Sequence, residues 1–141
     1  MNAALVDTGP VVALFVRSDP DHALVSASLR GFRGRLLTTW PVLTEVCHFL
    51  TPEVVLRFLR WVEAGGAAVI EVPPEDLAEI IRTMEKCLDR PMDLADCSLV
   101  WLAGRSGVRY ILTLDQGDFA IFRTPQGRTF KDVLTTRGSA R

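Results

Sequence analysis

Four carboxylates stand in apolar surroundings: Asp7, Glu45, Asp96 and Asp115. Asp7 closes the short run AALVD, and Asp115 closes VRYILTLD over residues 108–115, with Asp118 close behind. Glu45 shares a helical stripe with Val42, Val46 and Phe49, and Asp96 shares one with Leu99, Val100 and Ala103. The 3.6-residue period asks for apolar side chains at both positions, so each charge needs a reason. Two carboxylates about 4 Å apart repel by roughly 4 kcal/mol at an effective dielectric of about 20, so a cluster survives only by sharing protons or a cation. An oxygen-ligating divalent metal is the natural remedy.

Each acid also has a purely structural explanation. Asp7 could cap the helix that follows it, and Asp115 could form an Asx-turn. Asp93 is a natural N-cap, with Asp96 at the position where a capping box places an acid and where the helix dipole favours one. Glu45, a turn inside its helix, has only a buried arginine partner as an alternative. These explanations work singly and strain when all four are needed together.

The elements that must hold these residues follow from pattern and punctuation. Apolar runs at 3–7, 35–39, 67–72 and 108–115 read as strands, the last apolar enough for a central position. Helices are expected from a Thr8 cap through VVALF, from Asp19 and Pro20 to about Leu29, and from Thr39 and Pro41 through PVLTEVCHFL. Further helices open at Thr51 and Pro52 and at EDLAEIIRTMEKCL, whose apolar face is Leu77, Ile80, Ile81, Met84 and Leu88, and a last one runs through LADCSLVWLAG. The segment after Asp115 reads as one or two short edge strands, and the tail 135–141 as frayed. Strands separated by helices specify an α/β protein around a mostly parallel sheet of four to five strands, in one domain over 1–134. Functional sites of such sheets lie beyond the carboxyl ends of the strands, which brings Asp7 and Asp115 to one edge.

Composition narrows the class. The 141 residues are 48% hydrophobic and 23% charged, which excludes disorder, and no apolar run approaches the roughly 18 residues of a membrane span. The start, MNAALVDTGP, lacks the basic region of a secretory signal, so a cytoplasmic location is expected. Cys47, Cys87 and Cys97 have no metal or CxxC spacing and read as reduced core thiols, while His22 and His48 are isolated. Of 16 basic residues 14 are arginines, clustered at Arg30, Arg33 and Arg35 and again beyond residue 119, where Arg123 and Arg128 are candidates for holding a phosphate backbone.

The order VDTGP, mid-chain TEV, LADCSLVWLA and LTLDQGDF resembles PIN-domain proteins, and among them the VapC-like toxins of toxin–antitoxin pairs, from about residue 3 to residue 131. The resemblance implies a three-layer α/β/α sandwich and a Mg²⁺- or Mn²⁺-dependent endoribonuclease, commonly a homodimer, inhibited by a cognate antitoxin. It makes Asp7, Glu45, Asp96 and Asp115 the acidic quartet, with Asp7 and Asp96 as direct metal ligands and Asp118 as an accessory acid. Thr8 and Thr113 become candidate hydroxyl contacts, and Asp93 a further acid that is a cap or a ligand. The implied reaction is in-line attack of a metal-activated water on an RNA phosphodiester, leaving 5′-phosphate and 3′-hydroxyl ends. The rival within the fold is a catalytically silent module that binds RNA or protein. Phosphoacceptor domains are disfavoured because Lys86 and Lys131 are poorly placed, and haloacid-dehalogenase phosphatases because Gly9 stands where a second acid is required.

Overall fold

The computed structural model describes residues 2–90 and 92–134, with the side chains of Gln116, Gly117 and Asp118 outside the described set; the expected tail at 135–141 also lies outside it. Five strands form one sheet: β1 (Ala3–Val6), β2 (Arg35–Thr39), β3 (Ala68–Ile70), β4 (Tyr110–Leu112) and β5 (Lys131–Asp132). Their spatial order is β3-β2-β1-β4-β5, and every neighbouring pair is parallel. β1 is central, with Leu5 in register with Leu37 on one side and Ile111 on the other. Its Ala4, Leu5 and Val6 are buried on both faces, as a parallel strand between helical layers must be.

Helices fill every crossover. The connection from β1 to β2 holds α1 (Thr8–Phe15) and α2 (His22–Arg30), and that from β2 to β3 holds α3 (Trp40–His48) and α4 (Pro52–Glu63). A short 3₁₀ turn (Pro74–Asp76), α5 (Leu77–Lys86) and α6 (Leu94–Ser106) lead to β4, and α7 (Gln116–Ile121) leads to β5. The chain steps outward from β1 to β3 and then crosses back to β4. Right-handed crossovers therefore put α1 to α4 on one face of the sheet and α5 to α7 on the other. The packing agrees: α1 rests on α2 and α3, and α5 on α6, while α3 also reaches α6. This is the α/β/α sandwich with a parallel sheet that the sequence implies.

Several local expectations change. The first helix is capped by Asp7, whose carboxylate accepts the Thr8 N–H at 2.8 Å, so Thr8 is its first residue and not its cap. β3 and β4 are shorter than their apolar runs. On the face expected for α5, Ile80 is buried, but Leu77, Ile81 and Leu88 are exposed. After Asp115 the chain first forms α7, which the sequence does not announce, and the expected short edge strand follows it as β5. Phe119 packs edge-on against Phe122 and Phe130 at 5.4 and 5.5 Å, and this cluster supplies burial that a six-residue helix cannot supply alone.

The helix carrying Asp96 also differs from its reading. α6 is buried on nearly all sides, from Ala95 through Ala103, so it has no narrow apolar stripe; Asp96 is half-buried where its first turn meets an opening. Gly107 ends the helix with φ 75°, a left-handed conformation that disfavours any side chain.

Candidate active site

In an all-parallel sheet the carboxyl ends of the strands share one edge, and at this edge the chain leaves β1 into Asp7, β2 into α3, and β4 into Thr113 and Asp115. A cleft of about 540 Å³ opens there. Its walls include Asp7, Glu45, Asp93, Asp96 and Asp115 with Thr8, so the four expected acids lie together, and Asp93 with them. Asp19, expected only to start a helix, lines the same cleft. Among the described residues no lysine or arginine lines it. A larger cavity of about 780 Å³, among Leu29, Arg30, Arg35 and Trp61, opens at the starts of β2 and β3, the opposite edge, and has no acid among its described walls.

Hydrogen bonds fix the acids from behind. The buried Thr113 hydroxyl donates to Asp7 Oδ2 at 3.1 Å and accepts the Asp115 N–H at 2.9 Å, coupling the ends of β1 and β4. Asp7 thus holds the Thr8 N–H with one oxygen and the Thr113 hydroxyl with the other. The first turn of α6 is tied to the end of β2. Ser98 donates to the Ala95 carbonyl at 2.7 Å, which leaves its oxygen to accept from Thr39 at 2.6 Å. Asp93 caps α6 by accepting the Asp96 N–H at 2.8 Å, as expected of it, and also faces the cleft.

The electrostatics are those of crowded carboxylates. Asp96 has its pKa raised to about 8, first by burial and then by the charges of Asp7, Asp93, Glu45 and Asp115. Asp7 is raised to about 6 by burial, with Glu45 and Asp115 adding to it and the Thr8 and Thr113 hydrogen bonds opposing. Burial also raises Glu45, and the Asp93 carboxyl raises it further. The Thr8 hydroxyl lies close enough to Glu45 to favour its ionised form, yet no hydrogen bond of ordinary geometry engages it. Among the described residues no arginine pairs with Glu45, so the buried-partner explanation for that acid fails.

This donor set is all oxygen, with no thiol or imidazole among the described walls of the cleft, and it suits a hard divalent cation such as Mg²⁺ or Mn²⁺. Among the described residues no three acids, histidines or cysteines stand as a closed ligand set. A cation here would be held by one or two carboxylates and keep part of its water shell, which is the habit of Mg²⁺. Asp118 falls on α7, with its side chain outside the described residues. Arg123 and Arg128 do not line the cleft; Arg123 Nη1 donates to the carbonyls of Ala120, Ile121 and Phe122, finishing α7. The Cys97 thiol, buried beside Asp96, is pushed up to about 12 and is inert.

No family model matches the chain. It is 28% identical over 130 residues to Ribonuclease VapC26 of Mycobacterium tuberculosis, covering 89% of this chain and 96% of that protein. Its fold matches the crystal structure of Mycobacterium tuberculosis VapC20, a Sarcin-Ricin loop cleaving toxin, with a TM-score of 0.74 at 14% identity, covering 80% of this chain and 90% of the other.

Proposed function

We propose that this chain, a VapC-like PIN-domain protein, is a divalent-metal-dependent endoribonuclease and the toxin of a type II toxin–antitoxin pair. The observation that carries this reading is the cleft itself: six carboxylates line it among the described residues, the pKa values of Asp7, Glu45 and Asp96 are raised, and no basic residue among the described walls neutralises them. RNA is the substrate class, because the relative that spans nearly the whole chain is a ribonuclease; the Sarcin-Ricin loop is the target of the structural neighbour and is not carried over. A cognate antitoxin and a second copy of the chain are the protein partners of this reading. Among the described residues no helix is long and apolar enough to cross a membrane.

In this reading Asp7 and Asp96 would hold a Mg²⁺ or Mn²⁺ ion, with Glu45 and Asp115 on the same cleft to position water for the reaction. When bound, the ion supplies positive charge against the phosphoryl oxygens and acidifies water near neutral pH. The protein's own contribution is positional. The Thr8 N–H holds one Asp7 oxygen and the Thr113 hydroxyl holds the other, so the carboxylate cannot rotate away. Glu45, raised above the ordinary carboxylate range by burial, lies beside the Thr8 hydroxyl, and would orient a water and take its proton. Asp93 holds the first turn of α6 in place and leaves Asp96 facing the cleft.

The test incubates purified protein with mixed RNA and Mg²⁺ or Mn²⁺, beside Asp7→Asn and Asp96→Asn. Cleavage by wild type is expected, and its loss in chelator and in both variants. Cleavage that persists in chelator, or survives both substitutions, would sink the metal reading; a wild type inert with either ion would overturn the nuclease reading, leaving the silent module.

A further inference from the structure

A second depression, of about 500 Å³, shares two walls with the acidic cleft, Glu45 and Asp93. Its other walls are of a different chemistry: Trp40, Pro41, Thr44, His48, Leu94 and Ala95. Trp40 and Leu94 are large apolar side chains left 55% and 48% exposed, at the first positions of α3 and α6, the two helices that carry Glu45 and Asp96. The Thr44 hydroxyl is spent on the Trp40 carbonyl at 3.2 Å, whereas the exposed His48 ring makes no hydrogen bond among the described residues.

We propose that this depression is a nucleobase subsite: the base of a nucleotide flanking the scissile phosphate stacks on the Trp40 indole, with Leu94 beside it and the His48 ring reading its edge. The inference rests on the ribonuclease reading of the adjoining cleft. Charge decides which part of the substrate enters. Among the described residues no lysine or arginine lines the depression, and the Glu45 and Asp93 carboxylates on its inner wall repel a phosphate, so only the neutral part of a nucleotide is admitted. A strand whose phosphate is drawn into the acidic cleft by the divalent cation of that reading has its adjoining base within reach of this side, because the two cavities share two walls. An exposed indole beside an aliphatic side chain is the usual platform for an unstacked base, whereas structured duplex hides its bases. Trp61 offers no such platform: it stacks against Phe58, and its indole lies where a Cβ on Gly66 would stand.

The experiment uses a short single-stranded RNA of fixed sequence that wild type cleaves, and the same RNA with an abasic ribose at each position in turn. Cleavage is followed in Mg²⁺, and binding is followed in Ca²⁺ by fluorescence anisotropy. One abasic position next to the cleaved bond should weaken binding to wild type by roughly ten-fold. Trp40→Ala should lose the same factor on the intact RNA, mainly in KM, and show no further loss at that abasic position; Trp40→Phe should recover most of it. Sedimentation of each variant reports the oligomeric state. If wild type cleaves but no flanking abasic position matters, the subsite is overturned while the nuclease stands. The subsite is likewise overturned if Trp40→Ala changes only the oligomeric state, which would make the depression an interface between copies. The abasic series uses wild-type protein, so its outcome is independent of the folding of the variants. An RNA that is bound with base dependence but never cut keeps the subsite and overturns catalysis, and an RNA neither bound nor cut overturns both.

Discussion

Asp96 is a carboxylate whose charge the fold holds at a cost. Its pKa of about 8, and that of Asp7 at about 6, mean that the folded state keeps protons the unfolded chain has already released. The sign follows: between about pH 4 and pH 8 the native state binds more protons, so stability falls as pH rises through that window. Without divalent ions the melting temperature should therefore drop from mildly acid to mildly alkaline pH. Asp96→Asn should flatten that slope and, near pH 8, melt above wild type by a few degrees, about 3 °C per kcal/mol for a chain of this size. A lower melting temperature for Asp96→Asn across the range would make Asp96 a structural residue. Adding Mg²⁺ should raise the wild-type melting temperature more at about pH 8 than at about pH 6, because a cation binds the ionised carboxylates and displaces their protons. Equal shifts at both pH values would argue against a site among these acids. Thr113 gives a residue-scale test of another kind. Fully buried, it serves Asp7 and Asp115 at once, so Thr113→Val should cost about 2 kcal/mol in denaturant melts while Thr113→Ser keeps most of that.

At the scale of elements, α6 is where sequence and structure inform each other most. LADCSLVWLAG declares a helix with a cap at Asp93 and an acid at its third position, and both are there. What the pattern misjudges is the burial, since α6 lies between sheet and α5 and hides nearly every residue, leaving Asp96 half-exposed at the cleft. Asp93 combines two effects that substitution can separate. Asp93→Asn keeps a capping oxygen and removes a charge that raises both Glu45 and Asp96, so it should be as stable as wild type or more so. Asp93→Ala should lose about 1 kcal/mol with the cap. Equal melting of the two variants would show that the cap contributes nothing. α7 was not legible, because six residues carry too short a period to announce a helix, and its Phe119 and Phe122 find Phe130 only after the chain has turned back.

At the scale of the whole molecule, a net charge of −1 conceals a segregation, with acids gathered at one edge of the sheet and the Arg30–Arg35 cluster at the other. In chelator the acidic edge repels a phosphate backbone, so RNA should bind weakly and gain affinity on addition of non-catalytic Ca²⁺; added monovalent salt should then weaken binding. Affinity unchanged by Ca²⁺ would place the RNA elsewhere on the surface. By itself the sequence determined the alternation of strands and helices, the bounds of β2, the caps at Thr51 and Asp93, and the candidate acids, because these depend on period, punctuation and side-chain type within a few residues. Only the tertiary structure decided that Asp19 and Asp93 join the cleft, that Thr113 braces Asp7 across 106 positions of chain, and that Trp40 and Leu94 flank the acids. Such distances are set by strand order and crossover handedness, which bring remote segments to one edge and leave no trace in local periodicity.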